Sequence, residues 1–302
     1  MYVRIISLVI SSLILSSSIL AKKKIENIGK ESCYPDSGLG TLIISKCYKS
    51  VIDEIKKGAD VNQLEVGESP LTIAVRYNDI KMVKILVSNG AKVHYECSDY
   101  PCYSPYIMAL YDGRLEITKI FIENGAPVNL LNKYPFGNFN CSALYRAVKS
   151  GNVKLVKYMI KQGADVSGSG GPNPILAIKK LSMLNYFIKH NINLYARFDD
   201  SGDTLLHLLA TKGVYVWEEK ERLKVIKRLV SIDFDINTKD FKGRTPLYTA
   251  TLDNNIETVK LLVNLGADIN LPDERGLTPL AVAKRDKYKE LVLYLESIGA
   301  TE

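Results

Sequence analysis

The chain has 302 residues, 46% of them hydrophobic and 24% charged, the ordinary balance of a folded soluble protein. That length accommodates two ordinary domains or one elongated repeat array. The net charge of +7 is small and scattered, apart from the run Lys22-Lys23-Lys24, so composition does not point to nucleic acid.

Residues 1–21 differ from the rest. Arg4 provides a positive start, Ile5 to Leu15 is an apolar run diluted only by serines, and Ser16-Ser17-Ser18-Ile19-Leu20-Ala21 places small residues before the lysines. This is the layout of a secretory signal peptide, with cleavage expected after Ala21 and export to the periplasm or the medium as the consequence. The alternative is an uncleaved anchor, which would bring the protein to a membrane surface. The stretch from Ile5 to Leu20 is shorter than the roughly 20 residues a spanning helix needs. No cysteine lies near Ala21 to carry a lipid, and no second apolar stretch of spanning length follows. The mature chain, with 22–35 as an N-terminal segment and a repeat domain over 36–302, is therefore expected to be soluble.

Further along the chain, one element recurs. Gly-Ala, often followed by Asp, an aliphatic residue and Asn, stands at Gly58-Ala59-Asp60-Val61-Asn62, Gly90-Ala91, Gly125-Ala126, Gly163-Ala164-Asp165 and Gly266-Ala267-Asp268-Ile269-Asn270. Asn191 to Leu194 and Asp233 to Asn237 are degenerate copies, and Gly299-Ala300 begins a last one. A second element precedes the first at one distance. Ser69-Pro70-Leu71, Ser104-Pro105-Tyr106, Ser142-Ala143-Leu144, Thr245-Pro246-Leu247 and Thr278-Pro279-Leu280 each begin 21 residues before a Gly of the first element. Ser or Thr there caps a helix, and Pro fits its first turn, where a missing N–H costs nothing. Five residues on stand Ala74, Ala109, Ala147, Ala250 and Ala283, small enough for close helix packing. Val83, Val156, Val259 and Val292, then Leu86, Phe121, Met159, Leu262 and Leu295, form the apolar stripe of a second helix. The Gly ends that helix in the left-handed conformation, and Asp240 to Gly243 or Asp273 to Gly276 turns the chain back.

This pattern resembles the ankyrin repeat, over about 36–302. The resemblance implies an all-α ankyrin-repeat solenoid of about eight helix-turn-helix units joined by β-hairpin-like fingers, each unit stacking on its neighbours because none buries its apolar face alone. It also implies a non-enzymatic scaffold that binds a folded protein through its fingers and concave helix face. An immunity-type inhibitor or host-directed effector would share the fold and differ in partner.

The middle of the array is irregular. The finger between Gly125 and Ser142 is five residues longer than the usual 12 and holds Tyr134, Phe136 and Phe139. The finger before it carries Tyr95, Tyr100 and Tyr103. These six aromatics are the candidate partner anchors, because Tyr, Trp and similar rings bury much area at low entropy cost. The alternative is that tyrosine is simply common here, at 18 residues, and that Tyr111 or Tyr145 packs between helices. The fifth unit is short, and the sixth gains a segment with Tyr215 and Trp217.

No catalytic or metal constellation stands out. His207, in Thr204-Leu205-Leu206-His207, is expected to bond backbone and order a finger, while Asp199, Asp200 and Asp203 read as a solvated turn. His94 and His190 fall at repeat junctions, in no metal-ligand spacing. No cofactor, nucleic acid or small-molecule substrate is expected. If the chain is exported, disulfides persist. Cys97 and Cys102, across one finger, are the best pair by sequence distance, Cys33 with Cys47 is the second, and Cys141 is left over.

Overall fold

The computed structural model describes residues 33, 38–64, 67–95, 104–133, 140–168, 171–197, 201–212 and 218–302. The leader expected at 1–21 lies outside them, as do 22–35 except Cys33. The chain forms two compact units, Met1–Met108 and Ala109–Glu302.

The first unit contains the helix pairs α1 (Leu39–Ile44) with α2 (Tyr48–Lys56) and α3 (Pro70–Arg76) with α4 (Ile80–Ser88), and the start of α5 (Pro105–Tyr111). The second continues with α6 (Leu115–Glu123), a hairpin of β1 (Leu131–Lys133) and β2 (Asn140–Ser142), and the pair α7 (Ala143–Ser150) with α8 (Val153–Lys161). A 3₁₀ turn (Pro174–Ala177) precedes α9 (Leu181–Lys189). Three full pairs follow: α10 (Leu205–Ala210) with α11 (Glu219–Val230), α12 (Pro246–Leu252) with α13 (Ile256–Asn264), and α14 (Pro279–Arg285) with α15 (Lys289–Ser297). The expected all-α repeat architecture is the one observed, and its fifth unit is short because a 3₁₀ turn stands in place of the first helix.

The local signals act as their chemistry requires. Ser69, Ser142, Thr245 and Thr278 each accept a hydrogen bond from the backbone N–H three residues on, at the start of a first helix. Asp79, Asn152 and Asn255 cap second helices in the same way. Such caps each contribute about 1 kcal/mol. Ala74, Ala109, Ala147, Ala250 and Ala283 are all 0% exposed, so any larger side chain there would force the paired helices apart. The stripe Val83, Val156, Val259 with Leu86, Phe121, Met159, Leu262 and Leu295 is fully buried. Val292 departs from it and is only half-buried. Leu291 beside it is buried, as its counterparts Met82, Leu155 and Thr258 are.

The Asp-aliphatic-Asn segment does more than turn the chain. The Asp carboxylate accepts the N–H two residues on, as in Asp60 to Asn62 (2.8 Å), Asp235 to Asn237 (2.9 Å) and Asp268 to Asn270 (2.9 Å). The Asn side chain then reaches the next repeat. Asn62 Oδ1 accepts Lys92 N–H at 2.8 Å and its amide donates to the Gly90 carbonyl at 3.2 Å. Asn129 makes the same pair of bonds with Asp165 and Gly163, at 2.7 and 3.1 Å. Asn237 accepts from Asp268 N–H and Asn270 from Thr301 N–H, at 3.0 and 2.8 Å. Between the fifth and sixth units this stitch is absent: Tyr195 occupies the Asn position and Phe234 the Ala position of the next copy. Their rings stack at 5.0 Å with an interplanar angle of 2°, so an aromatic pair replaces the amide clip.

The fingers also join each other. Phe241 N–H donates to the Ser201 carbonyl and Glu274 N–H to the Lys242 carbonyl, at 3.0 and 3.1 Å. Gly202 sits under the Phe241 ring with φ +72°, where a Cβ would come within 2.5 Å of a ring carbon. The long finger is a true antiparallel hairpin, pairing Leu131 with Ser142 and Lys133 with Asn140.

His207 is the buried tie between α10 and the next finger. Its Nδ1 accepts the Thr204 N–H at 3.2 Å, which leaves Nε2 to donate to the Arg244 carbonyl at 2.9 Å. The ring is therefore neutral. Burial pushes its pKa below 6.5, against the opposing pull of the Arg244 carbonyl, Asp203 and Asp240. A depressed histidine resists protonation when folded, while the unfolded chain takes the proton, so stability is full above pH 6.5 and falls as pH drops below it. In urea titrations from pH 6.5 to 5.5, the unfolding free energy of the parent should decline more steeply than that of His207→Gln, the excess approaching about 1.4 kcal/mol per pH unit. Equal slopes would show that the ring titrates freely.

Candidate protein-binding surface

Each first helix starts at a finger, as α7 does directly after β2, and its last turn leads into the second helix. Tyr111, at the end of α5, is 50% exposed. The alternative of packing between helices holds for Tyr145, at 3%, and not for Tyr111. The difference is one of helical phase: Tyr145 lies in the first turn of α7, on the side that meets the 3₁₀ turn, and Tyr111 lies past the buried Ala109 and Leu110. The ammonium of Lys149, at the end of α7, stands 5.9 Å from the Tyr111 ring centroid, within range of a cation–π attraction. Lys179 follows in the next unit. Burial lowers its pKa below the ordinary lysine value, and the charge of Lys149 lowers it further. Two like charges are thus close enough for one to act on the other.

Further on, the same positions are internally compensated. Lys212 Nζ donates to the Asn254 carbonyl at 2.8 Å, while Lys212 N–H donates to Asp253 at 2.8 Å. Arg285 forks onto Asp286 with two bonds of 2.8 Å. At the finger tips Phe241 is 57% exposed, and Tyr195 is 60% exposed on its outer face. Leu131, at the base of the long hairpin, is 43% exposed. Tyr111, Tyr195 and Phe241 are surface aromatics that the spacing of the repeat motif does not single out. Tyr195 alone carried a signal, as an aromatic standing where other copies have Asn.

Among the sequence-derived anchors, Tyr95 is half-buried, and its hydroxyl lies 3.4 Å from Thr72 Oγ1 on α3. Tyr100, Tyr103, Tyr134, Phe136 and Phe139 lie outside the described residues, as do Cys97 and Cys102. The hairpin β1–β2 brackets the tip that holds Tyr134, Phe136 and Phe139. The disulfide present among the described residues joins Cys33 to Cys47, with Cα atoms 5.7 Å apart. Cys141 is a buried free thiol whose pKa burial raises, with Arg146 and Lys149 pulling the other way.

The finger acids are occupied with structure. Asp273 Oδ1 accepts the N–H groups of Arg275 and Leu277, and Oδ2 accepts the Tyr248 hydroxyl at 2.7 Å and the Arg275 guanidinium. Desolvation pushes this carboxyl up, but the bonds from Tyr248, Arg275 and the backbone outweigh it and hold the pKa at about 2. The Asp240 carboxylate accepts the N–H groups of Lys242 and Arg244 and the Arg244 guanidinium. Asp203 accepts from the Ser201 hydroxyl, and Asp199 and Asp200 lie outside the described residues. Among the described residues no group of His, Cys, Asp and Glu forms a metal-ligand cluster, and no helix is long and apolar enough to cross a membrane.

A stack of short helix pairs with projecting fingers and spare side chains on one strip is the build of a repeat scaffold. The sequence matches the family of ankyrin repeats in multiple copies over residues 95–170 and 214–301, and a single ankyrin repeat over 66–98. The chain belongs to the ankyrin-repeat family, which is generally a non-catalytic module for protein–protein interaction. It is 31% identical over 120 residues to alpha-latroinsectotoxin-Lt1a of Latrodectus tredecimguttatus, covering 39% of this chain and 8% of that protein. A putative ankyrin repeat protein of fowlpox virus, FPV022, is 26% identical over 212 residues, or 60% of this chain and 33% of the relative. One from Rickettsia bellii is 28% identical over 175 residues, or 58% and 19%. The chain thus spans a third or less of the length of these relatives.

A surface residue and a core residue of first helices should separate cleanly. Tyr111→Ala should move the unfolding free energy by no more than about 0.5 kcal/mol, while Ala250→Leu should cost about 1–3 kcal/mol by overpacking α12 against α13. Thermal unfolding followed by circular dichroism reads both. A large loss in the tyrosine variant would mean that its ring is a packing element.

Proposed function

We propose that this protein is a non-enzymatic scaffold working outside the cytoplasm, where it holds a folded protein partner through its fingers and the last turns of its first helices. The observation that carries the binding reading is the strip of Tyr111, Lys149 and Lys179. It has an exposed ring, a cation near it, and a second cation whose charge is raised in energy by burial and by its neighbour. Tyr111 is half exposed, and the cap, stitch and finger-tie hydrogen bonds described above do not involve these three side chains. The finger aromatics Tyr95, Tyr100, Tyr103, Tyr134, Phe136 and Phe139 are further candidate anchors on the sequence grounds given above. Export is supported by the layout of residues 1–21 and by the Cys33–Cys47 bond, since disulfides persist in oxidising compartments.

Two measurements test these halves separately. For binding, purified protein is used to capture its partner from the native source, and the affinity of the purified pair is then measured. Tyr111→Ala with Lys149→Glu should weaken it by about thirtyfold, the effect of losing a hot spot of about 2 kcal/mol. Unchanged affinity would move the contact elsewhere. For export, the native protein should have an intact mass that begins at Lys22. Non-reducing peptide mapping should link Cys33 to Cys47 and find Cys141 free. A full-length species with reduced cysteines would remove the extracytoplasmic assignment and leave the binding result standing.

A further inference from the structure

In the second unit the second helices of the fourth, fifth and sixth repeats are net basic. Helix α8 carries Lys154, Lys157 and Lys161, and α9 carries Lys189, with no carboxylate on either. The later second helices are balanced: α13 sets Glu257 beside Lys260, and α15 sets Glu290 and Glu296 against Lys289. Between α9 and α11, the second helices of the irregular fifth and sixth units, lies an open groove of about 650 Å³. Its floor is apolar, from the half-buried Leu181 and Ile188. Asn185, Ile188 and Lys189 form one wall at helical spacing, and Lys227, Arg228 and Ser231 form the other.

The groove is polarised along its length. At the start of α9, Glu221 accepts the Leu181 N–H at 3.3 Å and the Lys224 ammonium at 2.9 Å, and Glu218 lies close by. Lys224 is therefore already compensated. At the other end Lys189 and Lys227 are exposed and have no carboxylate partner among the described residues, and Arg228 donates only to neutral oxygens, Asn185 Oδ1 at 3.2 Å and Ser231 Oγ at 3.3 Å. Bases in the last turns of α9 and α11 favour the helix dipoles, which accounts for their place along each helix. It does not account for their convergence on one apolar trough.

We infer that the groove between α9 and α11 is a second docking surface, built for an acidic amphipathic helical segment of a partner protein. Its apolar side chains would lie over Leu181 and Ile188, and its carboxylates would face Lys189, Lys227 and Arg228. Charge complementarity chooses the occupant. An apolar floor offers nothing to a phosphate backbone, whose contacts are charged and polar. A flat bilayer is served by apolar residues that project from a basic face, whereas Leu181 and Ile188 are recessed between the helices. A helix-in-groove contact matches both the trough and its charged end. This surface is distinct from the Tyr111–Lys149 strip and does not depend on it.

The test uses the full chain and a fluorescein-labelled peptide with leucines on one helical face and glutamates on the other, alongside the same peptide with lysine for glutamate. Fluorescence anisotropy should show saturable binding of the glutamate peptide, weakened by added salt, and little binding of the lysine peptide. Lys227→Glu with Arg228→Glu should weaken it by about tenfold or more, since two attractive pairs become repulsive, and Lys189→Glu alone should weaken it measurably should the double variant lose helical signal. Tyr111→Ala with Lys149→Glu should leave it unchanged, which separates this groove from the proposed partner strip. No binding of the glutamate peptide, equal binding of both peptides, or insensitivity to Lys189, Lys227 and Arg228 would overturn the proposal. So would sedimentation with phosphatidylserine vesicles that depends on these residues while the peptide stays free.

Discussion

A helix of seven residues paired with one of nine, as in α3 and α4, cannot stand alone in water. Helices of that length are marginal because nucleation is costly, and one pair presents an apolar face with nothing to cover it. Everything else in the structure answers to that constraint. The fully buried alanines bring the two helices of a unit close, the Val and Leu stripe carries the burial to the next unit, and the caps satisfy N–H groups that so many helix ends leave open. Burial along the stripe is not uniform: Val292 is half-buried where Val83, Val156 and Val259 are fully buried.

Stacking by apolar burial is tolerant of register, and the polar devices are what fix it. The Asp and Asn of each finger segment divide this labour. Asp holds the local turn and Asn reaches across to the next repeat, so that one short motif sets both the shape of a unit and its offset from its neighbour. Tyr248, Asp273 and Arg275 do the same for a finger tip, and His207 for the link from α10 to the Arg244 carbonyl. These groups are the ones a search for catalytic residues would first notice, and their hydrogen-bonding capacity is spent on the fold. A repeat scaffold therefore displays for binding what its architecture leaves over: exposed rings and uncompensated cations at helix ends and finger tips.

The irregular fifth and sixth units show how much variation such an array absorbs. A 3₁₀ turn replaces a helix, a stacked Tyr195–Phe234 pair replaces the amide stitch, and α11 runs to 12 residues where the other second helices have nine. Each change is local because each unit packs only against its neighbours. The groove beside α9 and α11 lies in this stretch, where the repeat is least regular, consistent with loops and insertions being the variable, function-bearing parts of a fold.

The repeat was legible in the sequence because every position of it answers to a local or nearest-neighbour requirement. Ser or Thr before Pro marks a cap, Ala five residues on marks close packing, and Gly ends a helix. From these the fold, the number of units and the structural role of His207 followed without coordinates. The tertiary structure alone decided which side chains the stack leaves outside. Tyr111 and Tyr145 occupy similar stretches of sequence, yet one is half exposed and the other buried, because exposure depends on helical phase against a neighbour that the motif does not name. The Asn stitches, the Tyr195–Phe234 stack and the convergence of Lys189, Lys227 and Arg228 join residues about 30 to 40 positions apart. Spacing along the chain records which residues share a unit. What two units make between them is set by their packing.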